Sequence, residues 1–129
     1  MRTILVVEDN PLHKRLFSDV LRHFGYRVFS TSRGEEVLEV VYRELPDLII
    51  VDCFLGTIQG SQVVRSIRND TRFRQTPILA TSAFATDAEV VEMSNVGCSG
   101  YVEKPVSVRS LASIIDRTLG RPNASITND

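Results

Sequence analysis

Residues 47–60 read DLIIVDCFLGTIQG. An unbroken apolar run, Leu48-Ile49-Ile50-Val51, ends on a carboxylate, Asp52; apolar residues resume at Cys53, Phe54 and Leu55 before Gly56 interrupts them. A short apolar run bounded by turn residues suits a strand covered on both faces. Ionising an acid at the end of such a strand is costly, so Asp52 needs a partner or a use.

Working outward, similar runs occur at Ile4–Val7 and Ile78–Thr81, with weaker strands at Arg27–Thr31 and Tyr101-Val102. Helical patterns separate them. Asn10-Pro11 reads as the N-cap and first residue of a helix whose apolar face is Leu16, Phe17, Val20, Leu21 and Phe24, with Gly25 stopping it. Ser32-Arg33-Gly34-Glu35 fits a capping box for a helix carrying Val37, Leu38, Val41 and Leu45, ended by Pro46. Val63, Val64 and Ile67 mark a helix after Gly60. Thr86 with Glu89 fits a second capping box, for a helix running toward Val96 and stopped by Gly97. Ser107 to Leu119 is the last helix, with Leu111, Ile114, Ile115 and Leu119 facing inward. The pattern is βα repeated five times. It predicts an α/β fold of three layers: a parallel five-stranded sheet, of the common order 2-1-3-4-5 (flavodoxin-like), with right-handed crossovers and helices on both faces.

Length and composition bound the function. The 129 residues suggest one domain, expected over residues 1–120 with a polar tail over 121–129. A net charge of -1 argues against bulk electrostatic binding of nucleic acid. No apolar run reaches the length of a membrane span, and the N-terminal run is too short, and closed by two acids, for a signal peptide. Cys53 and Cys98 form no metal or disulfide pattern and read as reduced packing residues of a cytoplasmic protein. Asn123-Ala124-Ser125 matches a glycosylation sequon by chance in such a chain.

Chemistry on a parallel sheet belongs at the carboxyl ends of its strands. Those ends carry Glu8 and Asp9, then Asp52, then Ser82, then Lys104; the second strand offers Thr31 and Ser32, which capping explains. In the order 2-1-3-4-5 the first and third strands are neighbours, so Glu8, Asp9 and Asp52 should converge. Three carboxylates in one pocket repel. A hard divalent cation relieves that, and carboxylates with room for water suit Mg²⁺. Lys104 adds an ammonium and Ser82 a hydroxyl, the partners a bound phosphoryl group requires, and an aspartate can itself be the nucleophile.

The acid pair Glu8-Asp9, Asp52, Ser82 followed by Ala83, and Lys104-Pro105 resemble the motif set of response-regulator receiver domains of two-component signalling. Ser82 stands 30 residues after Asp52, and Lys104 22 after Ser82. The resemblance covers about residues 3 to 120; VVEDN, TSAFA and YVEKP are most similar to stand-alone regulators of the DivK type. It implies a phosphorylation-dependent switch rather than an enzyme. Asp52 would take a phosphoryl group from a histidine kinase or histidine phosphotransfer protein. Asp9, Asp52 and the Phe54 backbone carbonyl would hold Mg²⁺, with Glu8 helping through water. Lys104 would pair with the phosphoryl group, Ser82 would move toward it, and Tyr101 would turn inward with Ser82. It also implies a cis Lys104-Pro105 bond. Output would pass to a downstream protein through the face made by the fourth helix, fifth strand and fifth helix, in a monomer or weak dimer.

Two departures stand out. The family usually carries proline where this chain has Gly56, which predicts a looser loop over 56–60. Phe54 and Phe84 lie two residues beyond Asp52 and Ser82, flanking the path of the hydrolysing water. Apolar rings there would exclude water and prolong the aspartyl phosphate; partner binding and ordinary loop packing are the other readings. Leu12, His13 and Pro105 are candidate contacts for the phosphodonor, against a plain surface role. Simpler readings apply to single residues: Glu8-Asp9 as caps, Ser82 as a loop hydroxyl, Tyr101 as half-buried packing, and Arg65, Arg68, Arg72 and Arg74 as a solvated face. A flavin binder would need a phosphate loop where Glu8-Asp9 stands, and a phosphatase a second acid where Phe54 stands. A phosphorylation-independent docking module and a receiver cut from a longer chain are the remaining alternatives.

Overall fold

The computed structural model describes residues 1–56, 58–83 and 86–120. In chain order the elements are β1 (Thr3–Val7), α1 (Pro11–His23), β2 (Arg27–Thr31), α2 (Val37–Glu44), β3 (Leu48–Asp52), β4 (Phe54–Leu55), β5 (Ile58–Gln59), α3 (Gly60–Arg68), β6 (Ile78–Ser82), α4 (Asp87–Asn95), β7 (Gly100–Glu103) and α5 (Val108–Thr118), with short 3₁₀ turns at Gly34–Glu36 and Thr71–Phe73. Five strands form one parallel sheet of order β2-β1-β3-β6-β7, the arrangement expected from the alternating pattern.

The apolar runs become central strands because every residue of β1, β3 and β6 is buried, as a sheet covered on both faces demands. Alternate side chains feed two cores. Leu5, Val7, Ile49, Val51, Ile78 and Ala80 pack against α2, α3 and α4. Ile4, Val6, Leu48, Ile50 and Leu79 pack against α1 and α5. Val7 is level with Val51, Asp52 with Thr81, and Ser82 with Glu103, so the polar residues at the strand ends emerge along one rim. No helix among the described residues is long and apolar enough to cross a membrane.

Local signals hold at the helix starts, except that in the Thr86 box the Glu89 side chain bonds Tyr101 instead of reaching back to the cap. Asn10 accepts from the Leu12 and His13 amides, Thr86 from the Glu89 amide and Ser107 from the Ser110 amide. The Ser32–Glu35 box does not form. The Ser32 hydroxyl accepts from Lys14 Nζ at 2.6 Å, Glu35 pairs with Arg33, and a 3₁₀ turn precedes α2. Leu45 and Leu16 also leave their expected faces. Leu45 is the left-handed C-cap of α2 at φ 48°, ahead of Pro46, and is exposed; Leu16 is exposed at the edge of α1.

The segment expected to be loose is instead an antiparallel hairpin, β4 against β5, with Phe54 opposite Gln59 and Leu55 opposite Ile58. Gly56 makes its turn possible with φ +72°, a backbone that glycine adopts without penalty. Gly60 closes the segment. Its amide donates to the Cys53 carbonyl at 2.9 Å, and a Cβ there would lie 2.3 Å from the Asp52 carbonyl oxygen. Only glycine lets α3 start this close to the end of β3.

Candidate functional site

Glu8 continues β1 by one backbone bond, its amide donating to the Thr31 carbonyl at 3.1 Å. The chain then turns, and the Glu8 carboxylate accepts from the Asn10 amide at 3.2 Å. Asp52 is the last residue of β3, on the α1/α5 side of the sheet, and its Oδ1 accepts from the Phe54 amide at 3.2 Å. The Lys104 backbone amide is tied to the Ser82 carbonyl at 2.8 Å. The Lys104 side chain crosses the rim. Nζ donates to Glu8 Oε1 and to Asp52 Oδ2, the latter at 3.2 Å, and His13 Nδ1 lies 3.1 Å away. The Lys104–Pro105 bond is cis.

One buried ammonium thus serves two buried carboxylates. Burial, reinforced by a hydrogen bond with Asp52, raises the Glu8 carboxyl to about 7 despite the opposing Lys104 charge. Near neutral pH the Glu8 carboxyl therefore retains a proton in part.

Asp9 does not join them. It is exposed, and its Oδ2 faces Gly56, 3.4 Å from where a Cβ would stand. Among the described residues no group of three or more His, Cys, Asp or Glu side chains is gathered closely enough to hold a metal ion. The expected convergence of Glu8, Asp9 and Asp52 is therefore partial: like charges keep the exposed acid at the rim, while the two buried acids share Lys104. The donor chemistry still suits a hard divalent cation. Asp9 and Asp52 offer carboxylate oxygens at one rim, and the missing side chain of Gly56 leaves space beside Asp9.

Ser82 ends β6 fully buried, on the opposite side of the sheet from Asp52. Tyr101 is half-buried against the same core, within hydrogen-bond reach of Ser82. Its hydroxyl donates to Glu89 on α4 and receives the Cys53 thiol at 3.9 Å. Burial first, then the Glu89 bond, raises the Tyr101 phenol well above its ordinary range, and burial pushes the Cys53 thiol up to about 12. Sequence reading missed the Glu89 and Cys53 contacts. Thr86-x-x-Glu89 reads as a cap and Cys53 as packing, and neither pattern announces a partner in β7.

His13 and Pro105 line a groove of about 430 Å³ between α1 and the start of α5, with Leu16, Val20 and Val108. Leu12 is exposed beside it and does not line it. Phe54 is exposed on β4, and Phe84 lies outside the described residues.

The family model for the response regulator receiver domain matches residues 4–116. The chain belongs to the response regulator receiver domain family. It is 33% identical over 119 residues to the polar-differentiation response regulator DivK of Brucella anthropi, covering 92% of this chain and 97% of that one. Among solved structures, a putative response regulator from Chloroflexus aurantiacus matches with TM-score 0.88 and 29% identity, covering 93% of this chain and 98% of that chain. The receiver domain of a sensor histidine kinase from Pseudomonas aeruginosa, which has a magnesium ion coordinated in its active site cleft, matches with TM-score 0.86 and 32% identity, over 92% and 98%. The rim carrying Glu8, Asp52 and Lys104 lies at the carboxyl ends of the strands, where parallel α/β sheets gather their chemistry. Receivers are signalling regulators, and the function of this one is that of a phosphorylation-dependent switch.

Proposed function

We propose that Asp52 is the phosphoacceptor of this receiver, taking a phosphoryl group from the phosphohistidine of a histidine kinase or histidine phosphotransfer protein. The observation that carries the reading is the Lys104 ammonium lying on Asp52 Oδ2 and Glu8 at the end of the strands. An Asp52 oxygen attacks phosphorus, the donor's P–N bond breaks, and the imidazole leaves with the electron pair. Lys104 then pairs with the new phosphoryl oxygens. Asp9, Asp52 and the Phe54 backbone carbonyl would hold Mg²⁺, with Glu8 acting through water; the bound ion supplies charge neutralisation at the phosphoryl oxygens. Ser82 moves toward the phosphoryl group and Tyr101 follows.

Donor docking falls to the rim with His13 and Pro105, next to Leu12, where the groove exposes Leu16 and Val108. Output passes to a protein partner through the face of α4, β7 and α5, which exposes Val90 and Val91. The proposed switching unit is residues 1–120, working in the cytoplasm as a monomer or weak dimer without nucleic acid or membrane.

Incubation with Mg²⁺ and a small phosphodonor, followed by intact mass, tests the core of this. The expected result is one phosphoryl adduct on the wild type and none on Asp52→Asn. No adduct with any donor would instead make the chain a phosphorylation-independent docking module.

A further inference from the structure

The Thr86-x-x-Glu89 motif is only half used as a cap. Thr86 Oγ1 accepts from the Glu89 amide at 3.1 Å, but the Glu89 carboxylate accepts the Tyr101 hydroxyl across the gap from α4 to β7. Glu89 suits that task at the third residue of α4, where the helix dipole favours its negative charge. Tyr101 in turn touches Cys53, the residue joined to Asp52, and Ser82 at the end of β6.

What makes the contact consequential is how little else, among the described residues, holds this helix. Of residues Asp87–Asn95, all of them described, only Met93, near the far end, is buried. Val90 and Val91 are 37% and 57% exposed. An amphipathic helix is normally fixed by an apolar stripe. The first turn of α4 lacks one, and its tie to the sheet is polar.

We infer that Glu89 is a positioning residue that latches the Tyr101 side chain to the first turn of α4, so that a movement of Tyr101 is delivered to that helix. The latch stands on the contacts above; its use in signalling rests on the switch reading already proposed. Glu89 touches no reacting atom, and its loss leaves phosphoryl loading of Asp52 intact.

The test uses the full chain with 3-fluorotyrosine in place of its three tyrosines, the Tyr101 resonance being assigned from Tyr101→Phe. In the unphosphorylated protein, Glu89→Ala should move the Tyr101 fluorine resonance and speed exchange of the Val90 amide, which bonds to the Thr86 carbonyl, by about tenfold. Glu89→Gln, which keeps an acceptor, should rescue both. Unlabelled Tyr101→Phe should match Glu89→Ala in Val90 exchange, with no further change in the double variant. With Mg²⁺ and a small phosphodonor, Glu89→Ala should load within about twofold of wild type by intact mass while losing the loading-dependent change at Val90. An unmoved resonance and unchanged exchange in Glu89→Ala would overturn the latch, as would additive effects in the double variant. A Val90 response to loading that survives Glu89→Ala would overturn its signalling role. If wild type does not load, the phosphoacceptor reading fails, and the unphosphorylated comparison still decides the latch.

Discussion

Lys104 Nζ lies 3.2 Å from Asp52 Oδ2 while also donating to Glu8, so one ammonium bridges two acids at the ends of neighbouring strands. The side chains are only 9% exposed for Lys104, 2% for Glu8 and 11% for Asp52. Removing the cation from such a pocket strands uncompensated charge. Lys104→Met should therefore destabilise the fold by about 3 kcal/mol at pH 8. At pH 5, where Glu8 carries a proton, the loss should be clearly smaller. Urea unfolding at the two pH values measures both; equal losses would mean that the Lys104 charge is not what holds the acids together.

Glu8 makes stability depend on pH in an unusual direction for an acid. Folding raises its carboxyl from 4.5 to about 7, because burial and Asp52 oppose its charge. The folded chain thus holds this proton more tightly than the unfolded chain. The corresponding stability is complete below about pH 4.5 and is lost as pH rises through about 7. Its size is on the order of 3 kcal/mol. In Mg²⁺-free buffer Glu8→Gln should remove this loss, so its urea midpoint should gain on wild type between pH 5 and 8. Parallel midpoint curves for the two proteins would show that Glu8 titrates normally.

Gly56 shows why the proline common at its position in the family does not suit this chain. Its φ of +72° is outside the range of proline, which is locked near −65°. Gly56→Pro should break the β4–β5 turn and cost about 2 to 3 kcal/mol. Gly56→Asn, which tolerates a left-handed backbone, should cost less than about 1 kcal/mol. Gly60→Ala should be worse than either, since its Cβ would sit 2.3 Å from the Asp52 carbonyl oxygen and 2.9 Å from Cys53 Cα, both backbone atoms. Denaturant midpoints of the three variants give the order directly.

The fold was legible because its central strands are uninterrupted apolar runs and its helices carry caps and stops: Asn10-Pro11, Thr86 and Ser107 all behave as their chemistry implies. The acids and Lys104 were legible because an ionisable residue that closes a buried run must be paired or put to chemical use. What escaped is chemistry without periodicity. Two-residue strands such as β4 and β5 leave no pattern, and Gly56 in sequence looks like slack when it is a turn. Arg68 looks like one of several solvated arginines. Yet it is half-buried and donates to the carbonyls of Gly97, Phe73 and Thr76 at 3.0, 2.6 and 2.6 Å, acceptors that any residue type supplies. Asp116 likewise sits on a helix face read as apolar, buried, and accepts from the Tyr26 hydroxyl at 2.7 Å across ninety residues of chain. Partners that distant in sequence appear only once the sheet has brought them together.

With Asp52 as the proposed phosphoacceptor, Phe54 is expected to influence how long the phosphorylated state lasts. It lies two residues beyond Asp52, its amide donates to Asp52 Oδ1, and its side chain is 58% exposed on β4. An aromatic ring offers a hydrolysing water no hydrogen bond, whereas an amide side chain would hold and orient one. Phe54→Asn should therefore shorten the lifetime of the aspartyl phosphate by about fivefold to tenfold, orientation of an attacking water being the gain. Phe54→Leu, apolar like the original, should change it little. Loading with Mg²⁺ and a small phosphodonor, removing the donor, and following loss of the adduct by intact mass gives the three lifetimes. Equal decay in all of them would place control of the attacking water elsewhere in the site, and faster decay in Phe54→Leu as well would point to bulk rather than polarity as what keeps water out.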